Sequence, residues 1–167
     1  MGYILLYDQD LVRKDPSVKY FFKQFKAGAE VIFICYKKEV KGIIEKIRIY
    51  ELKIKGRKKL LEKLYILYCF KPDALEAVKQ NVTIDEDVVE EHLTLHQKKE
   101  DRLQIPDEIL HTCFKEQRHI TIIMRNGHVL NGTIFSYGIF SIRLQIDEKN
   151  RVIIFRHGVY DLEYRKK

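Results

Sequence analysis

The residues with the clearest chemical potential lie in two short stretches near the end of the chain. One stretch, residues 125–144, reads RNGHVLNGTIFSYGIFSIRL and carries Phe140 two positions after a glycine. The other places Arg156 and His157 side by side at the end of an apolar run. An aromatic ring can stack on a nucleobase, and a guanidinium can clamp a phosphate with two hydrogen bonds. A neutral histidine can add one more hydrogen bond. These side chains together indicate a site for single-stranded nucleic acid.

Each of these residues also has an ordinary structural interpretation. Phe140 lies in an alternation of apolar and polar residues from Ile139 to Ile142, which suits a core position as well as a loop. A lone histidine is more often structural than functional, and its neighbour Arg156 is what favours a binding role for His157. The residue types alone leave both interpretations open.

The elements around these residues are one short helix and about five strands. Pro106 suits the first position of a helix, with Asp107 and Glu108 in the first turn. The runs ITIIM, HVLNGTIFSYG, IFSIRLQI, RVIIFRH and VYDLEY then read as strands. Asn126-Gly127 predicts a tight hairpin, because both central residues of such a turn take positive φ.

A similar pattern stands 90 residues earlier in the chain. The proline that opens the helix and the glycine inside the second strand both recur at this offset. After the third strand the offset falls to 85, which matches Phe155-Arg156 with Phe70-Lys71 and leaves five extra residues around KGRKKLLEKL. A fixed offset of this kind predicts an internal duplication. The pairs matched at 90 without a gap include Pro16 with Pro106, Ile32 with Ile122, Ile34 with Met124, Val40 with Leu130, Gly42 with Gly132, Tyr50 with Phe140 and Lys53 with Arg143.

The duplication predicts a mostly β protein with short helices. Each copy would be an N-terminal helix followed by a five-stranded, bent antiparallel sheet that curls into an open barrel, with Gly42 or Gly132 at the bend. We expect a first domain over residues 1–80, an acidic and partly helical linker over residues 81–103, and a second domain over residues 104–167. The first eleven residues read as a short strand that covers an open sheet edge.

Charge is unevenly distributed along the 167 residues, whose net charge is +7. The segment from Met1 to Lys71 has 17 Lys and Arg against 8 Asp and Glu, whereas residues 72–105 have 4 against 9. Basic surface favours polyanions such as nucleic acid, although a soluble basic protein without such a partner would look the same. Three dispersed cysteines, no leader pattern and no membrane-length apolar run favour a cytoplasmic protein without a membrane partner.

The second copy resembles the Sm-like family, most closely its bacterial Hfq branch, over residues 104–164. The first family motif is matched by Asn126, Gly127, Leu130, Gly132, Tyr137 and Phe140, and the second by the run Phe155-Arg156-His157-Gly158. The first copy, roughly from Pro16 to Lys79, resembles the family less closely. It keeps Gly42, Tyr50, Phe70 and Lys71 but has Pro72 where the motif has histidine.

The resemblance implies a ring that binds single-stranded, U-rich RNA and acts as an RNA chaperone or post-transcriptional regulator. In such rings the fourth strand of one subunit pairs with the fifth strand of the next, so a tandem chain would form a trimer with a pseudo-hexameric ring. The RNA-binding residues implied by position are Phe140, Arg156, His157, Gln104, Tyr50 and Lys71. Auxiliary phosphate attraction would come from Lys55, Arg57, Lys58 and Lys59.

Other functions find less support in the residues. No catalytic triad, phosphate loop or pair of catalytic acids can be placed, so we expect neither an enzyme nor a cofactor. His111 and Cys113 would point to different faces of a helix, and His92 and His96 lack the HExxH pattern, so we expect no metal site. The alternative is a structural or protein-interacting Sm-like ring with little or no RNA binding, which the divergence at Pro72 favours.

Overall fold

A computed structural model describes residues 9–93, 95 and 98–165 of the chain. Residues 1–8, which hold most of the predicted N-terminal strand, and His96 lie outside the described residues. The last part of that predicted strand is wrong, because helix α1 (Gln9–Lys14) begins there. Asp10 in its first turn and Arg13 and Lys14 in its last turn suit the helix dipole.

The first half of the protein, residues 16–70, is a helix followed by five antiparallel strands. Helix α2 (Pro16–Ala27) begins after the N-cap Asp15 and ends at Gly28, whose φ of 59° lies in the left-handed region. The strands are β1 (Glu30–Cys35), β2 (Glu39–Ile47), β3 (Glu51–Ile54), β4 (Leu61–Glu62) and β5 (Ile66–Phe70).

The second half, residues 107–164, has the same order of elements. Its helix is α5 (Asp107–Lys115), and its strands are β7 (His119–Met124), β8 (His128–Tyr137), β9 (Ser141–Gln145), β10 (Arg151–Phe155) and β11 (Val159–Tyr164). One turn of 3₁₀ helix precedes the last strand of each half, Lys63–Tyr65 in the first and Arg156–Gly158 in the second. The predicted class, a mostly β protein with short helices and an antiparallel sheet, is confirmed.

The long second strand of each half bends at the same place. Gly42 lies opposite Val31, and Gly132 lies opposite Ile120. A Cβ atom at Gly132 would collide with the backbone carbonyl of Gln145 on β9, so a glycine is needed for the strands to curl this closely. Each second strand also carries a bulge just after the glycine. The register with the third strand shifts by one residue there, between Ile44 and Lys46 in β2 and between Ile134 and Ser136 in β8.

The gapless 90-residue alignment is wrong at the first strand. Because Val31 and Ile120 face the paired glycines, β1 and β7 are offset by 89 residues. The cause is the length of the hairpin loop between the first two strands. In the first half a hydrogen bond from Cys35 N to Lys38 O closes this loop, and the Asn-Gly loop of the second half is one residue longer. Ile32 therefore packs in the second half's core rather than in its own.

The 85-residue alignment of the last strands is also wrong. Phe70 belongs to β5 and pairs with Ile32, whereas Phe155 ends β10, the fourth strand of its half. Cys69 lies opposite Phe33, and its equivalent Leu162 lies opposite Ile122. The last strands of the two halves are therefore offset by 93 residues. The fourth strand of the first half has only two residues, so the first half is shorter here than the second rather than five residues longer.

The two halves share one continuous sheet, in which β5 of the first half pairs with β10 of the second. Cys69 lies opposite Ile153 and Tyr68 opposite Ile154. Every residue of β5 is buried, and the strand contributes side chains to both cores: Ile66 and Cys69 to that of the first half, and Leu67, Tyr68 and Phe70 to that of the second. At this junction the Tyr68 hydroxyl lies 2.7 Å from Nδ1 of His128. Among the described strands, those at the two edges of the sheet without a second partner are β4 at one end and β11 at the other.

The segment between the halves packs on the second half. It contains α3 (Leu75–Asn81), β6 (Thr83–Ile84) and α4 (Glu86–Glu90), and β6 pairs with the start of β8. The Asn81 side chain accepts a hydrogen bond from the Asn131 backbone N–H and donates one to its carbonyl. No helix in the described ranges is both long enough and apolar enough to cross a membrane.

A buried carboxylate joins the two halves beside the strand junction. Asp15, at the start of α2, is fully buried and accepts five hydrogen bonds. Two come from Ser17 in its own half, and three come from Phe140 N, Ser141 N and Ser141 Oγ in the second half. This carboxylate therefore fixes the loop between β8 and β9 against α2.

We predict that Asp15→Ala lowers the free energy of unfolding by about 3 kcal/mol or more, because it leaves several buried donors without an acceptor. Urea titration followed by circular dichroism measures the change. Asp87→Ala, which removes an exposed carboxylate from α4, serves as the control and should change stability by less than about 0.5 kcal/mol. Equal stability of the two variants would contradict a structural role for Asp15.

Candidate nucleic-acid interface

Arg156 is the most constrained of the predicted binding residues. Its guanidinium donates to the carbonyls of Gly138 at 2.9 Å and Ile105 at 2.7 Å, and it forms an ion pair with Asp107 at 3.1 Å. The side chain is 19% exposed. Arg156 thus ties the loop between β8 and β9 to the start of α5, and only a small part of it faces solvent.

His157 lies at the junction of the two halves. Its Nε2 donates a hydrogen bond to the Ile66 carbonyl at 2.8 Å, and its ring stacks on Phe155 with 5.4 Å between centroids. Burial lowers the pKa of His157 to about 4, so the imidazole is neutral at pH 7. The structure therefore gives this residue a role in joining β5 to the second half.

Phe140 lies in the loop that Asp15 and Arg156 hold in place. Its backbone N–H donates to Asp15 Oδ2 at 2.8 Å, and its carbonyl accepts from Arg156 N at 2.9 Å. The residue is half-buried. The backbones of Phe140 and Arg156 are thus in direct contact.

Gln104 lies near this group but is turned toward its own segment. Its exposed side chain donates to the carbonyls of Lys99 at 2.8 Å and Arg102 at 3.2 Å. The next residue, Ile105, receives the hydrogen bond from Arg156. The backbone thus connects Gln104 to the Phe140 loop.

Tyr50 takes the same position in the first half as Phe140 takes in the second. Its carbonyl accepts a hydrogen bond from Lys63 N at 2.8 Å, which repeats the bond between Phe140 O and Arg156 N. Tyr50 is 59% exposed, so its ring is far more accessible than that of Phe140. The sequence correctly matched these two aromatic residues because the offset of 90 holds from β2 to β3.

Lys63, rather than Lys71, is the counterpart of Arg156. Its ammonium donates to the carbonyls of Arg48 at 2.6 Å and Ile49 at 3.1 Å, as Arg156 donates to that of Gly138. Burial lowers the pKa of Lys63 to about 8. The sequence comparison missed Lys63 because the shortened β4 shifts the alignment; the run KLLEKL that contains it was the available signal.

The remaining predicted cations lie elsewhere on the surface. Lys71 follows β5 and lines a groove between α2 and the sheet of the second half. The four auxiliary cations are exposed in the turn between β3 and β4, where Gly56 has a φ of 77°. They are Lys55, Arg57, Lys58 and Lys59. These residues add positive potential without contacting the Phe140 loop in any described hydrogen bond.

Metal binding finds no support in the part of the chain that the structure describes. No group of three or more His, Cys, Asp or Glu side chains there is arranged to hold an ion. His111 lies 3.2 Å from the Tyr137 hydroxyl, and Cys113 is buried in the core.

Comparison with known proteins gives matches among solved structures only. No family model matches the chain, and no curated protein matches it. Among solved structures, the chain is similar to Hfq, whose crystal structure is titled that of a pleiotropic translational regulator. The two are 21% identical, and the match covers 42% of this chain and all of the Hfq chain with a TM-score of 0.34.

Two half-buried histidines, His157 and His128, predict a loss of stability in mild acid. The pKa of His157 falls to about 4 in the folded state, and burial also lowers that of His128, whereas unfolded histidine titrates near 6.5. The unfolded state therefore binds more protons between about pH 6.5 and pH 4, so stability is full above this window and falls as the pH drops through it. We expect a loss of about 2–3 kcal/mol, measured by urea unfolding at each pH.

His157→Asn should flatten this pH dependence, and His119→Asn, which changes an exposed histidine, should leave it unchanged. Identical slopes for both variants would contradict the assignment to His157.

Proposed function

We propose that this chain is a tandem Sm-like protein that binds single-stranded, U-rich RNA and acts as an RNA chaperone or post-transcriptional regulator. The observation that carries the proposal is the pairing of β5 with β10. It joins the fifth strand of one half to the fourth strand of the other, which is the contact that the family resemblance implies between neighbouring ring subunits. The protein would act in the cytoplasm without a catalytic step or a cofactor.

The loops beside this junction support an RNA-binding role. Each half presents an aromatic residue, Tyr50 or Phe140, whose carbonyl is held by the backbone N–H of a basic residue. A fixed loop presents its ring without a large entropic cost on binding, and stacking contributes about 1–3 kcal/mol for each base. Because Arg156 and His157 are engaged in internal contacts, stacking rather than phosphate clamping is the main contribution that we assign to this site.

Assembly into a ring would use the two unpaired sheet edges. In a trimer, β11 of one chain would pair with β4 of the next. A fourth strand of two residues is long enough, because the internal junction itself pairs only two residues on each side. Backbone groups at both edges would then find partners, which removes the exposed edges.

The side chains at these edges favour a second copy of the chain as the partner. Asp161 on β11 lies opposite Ile123, and Tyr68 on β5 lies opposite Ile34. Asp161 and Tyr68 therefore occupy equivalent positions on the fifth strands of the two halves. Tyr68 contacts His128, which lies four residues before Gly132. The equivalent residue of the first half is Lys38, which lies four residues before Gly42. Repeating the internal junction between chains would therefore place Asp161 beside Lys38 of the next chain, where opposite charges attract.

Reversing this charge pair provides a test of the assembly. We expect the wild-type protein to have the mass of three 20.0 kDa chains by light scattering. Asp161→Lys and Lys38→Asp should each give smaller species, because like charges would meet at every junction, and the double variant should restore the trimer. Asp87→Lys, on exposed α4, is the control and should not change the mass. A wild-type monomer, or a double variant no better than either single one, would contradict the proposed junction.

RNA binding is tested with labelled oligo-U, oligo-A and duplex DNA at two salt concentrations. We expect oligo-U to bind most tightly, with a log–log salt slope of about −0.7 for each phosphate neutralised. Tyr50→Ala and Phe140→Ala should each weaken oligo-U binding by about 5- to 100-fold through lost stacking. Phe25→Ala removes an exposed aromatic residue from α2 and is the control.

The second candidate function is a structural or protein-interacting ring. The observation in its favour is that Arg156, His157 and Gln104 all make internal hydrogen bonds. Absence of oligo-U binding by the folded wild-type protein, together with an intact trimer, would favour this candidate over RNA binding.

A further inference from the structure

A groove with five cationic side chains runs between α2 of the first half and the strands β8 and β9 of the second. Its volume is about 290 Å³. None of the described residues that line it carries a carboxylate. The cations that line this junction groove are Lys14, Lys19, Lys23, Lys71 and Arg143.

Two guanidinium groups are held together on the ring of Phe135, a residue that lines the second-half wall of the junction groove. The Arg151 guanidinium lies over the Phe135 ring at 3.6 Å from its centroid, and that of Arg143 lies at 5.2 Å. Neither forms a salt bridge with a carboxylate in the described part of the chain. Two like charges held close on one ring repel each other, and a bound anion would relieve that repulsion.

Two polar atoms in this region have no hydrogen-bond partner within the described ranges. The Tyr20 hydroxyl belongs to a residue of α2 that lines the junction groove and is only 9% exposed. Both this hydroxyl and Arg151 Nε are buried without a partner among the described residues. Buried polar groups are nearly always hydrogen-bonded, so two orphans beside a cluster of cations indicate that an acceptor from a ligand belongs there.

We propose that the junction groove binds a phosphate group, supplied either by the backbone of single-stranded RNA or by a free nucleotide. A phosphate offers several acceptor oxygens that guanidinium groups and a hydroxyl can share. Lysines on α2 and at the end of β5 would add attraction from the opposite wall. This inference goes beyond the proposed stacking site, because it depends on neither Phe140 nor Tyr50.

The first test measures binding of UMP, inorganic phosphate and a labelled oligo-U to the full chain. Arg143→Gln/Arg151→Gln should weaken binding of the phosphate-bearing probes at least 10-fold. Lys46→Gln/Lys149→Gln removes the same charge at exposed positions outside the junction groove and is the matched control. Circular dichroism confirms that each variant is folded. If the arginine and lysine double variants weakened probe binding equally, the loss of net charge alone would explain the effect, and this would overturn the proposal.

Tyr20→Phe gives a sharper test, since it removes a single buried hydroxyl and keeps the ring. We expect the free protein to be at least as stable as the wild type, because an unpartnered hydroxyl is lost, and UMP affinity to fall about 3- to 10-fold. Unchanged UMP and oligo-U affinity in this variant would overturn the role of the hydroxyl and, with it, the proposed site.

The probes also separate the two phosphate sources from the proposed function. Oligo-U binding that the arginine pair weakens, with no UMP binding, identifies the RNA backbone as the source. UMP binding that the arginine pair abolishes, in a protein that binds no oligo-U, supports the junction groove even though the proposed RNA function fails. Binding of none of the three probes by the wild-type protein overturns the junction groove as a phosphate site.

Discussion

The backbone pairing between β5 and β10 is the interaction on which the rest of the structure depends. Only two residue pairs are in register there, yet β5 is buried along its whole length because it contributes side chains to the cores of both halves. Each half alone would leave this strand with one unpaired side and one uncovered face, which is unfavourable for so small a sheet. The junction turns two marginal five-stranded units into one sheet with a shared interior.

Polar contacts then place the loops of the second half against the first. Asp15 organises the Phe140 loop from α2, and His157 donates to the β5 backbone. These contacts are buried, so breaking them leaves donors or acceptors without partners. The same packing also creates the junction groove, since the pairing of β5 with β10 brings α2 of one half beside β8 and β9 of the other. Joining the halves and forming a cationic surface between them are therefore consequences of one arrangement.

Asn126-Gly127 marked the hairpin between β7 and β8, although of the two residues only Gly127 takes a positive φ. Much of the rest of the fold could be predicted from the sequence, because alternating apolar residues and the two mid-strand glycines report local backbone requirements. Tyr50 and Phe140 were matched correctly for the same reason. Register and partners could not be predicted in this way. The hairpin after β1 is one residue shorter than that after β7, and β4 has shrunk to two residues, so Lys71 was matched to Arg156 in place of Lys63. The hydrogen bonds from Phe140 and Ser141 to Asp15 join residues about 125 positions apart, and no local pattern reveals them.

Hydrogen exchange followed by mass spectrometry tests the central claim, that the halves form one cooperative unit through the β5–β10 junction. If they do, the amides of β5 and β10 exchange only through global unfolding and are among the most slowly exchanging in the chain. Early exchange across β5 while the strands of the second half stay protected would mean that the halves separate independently, and this would contradict the account.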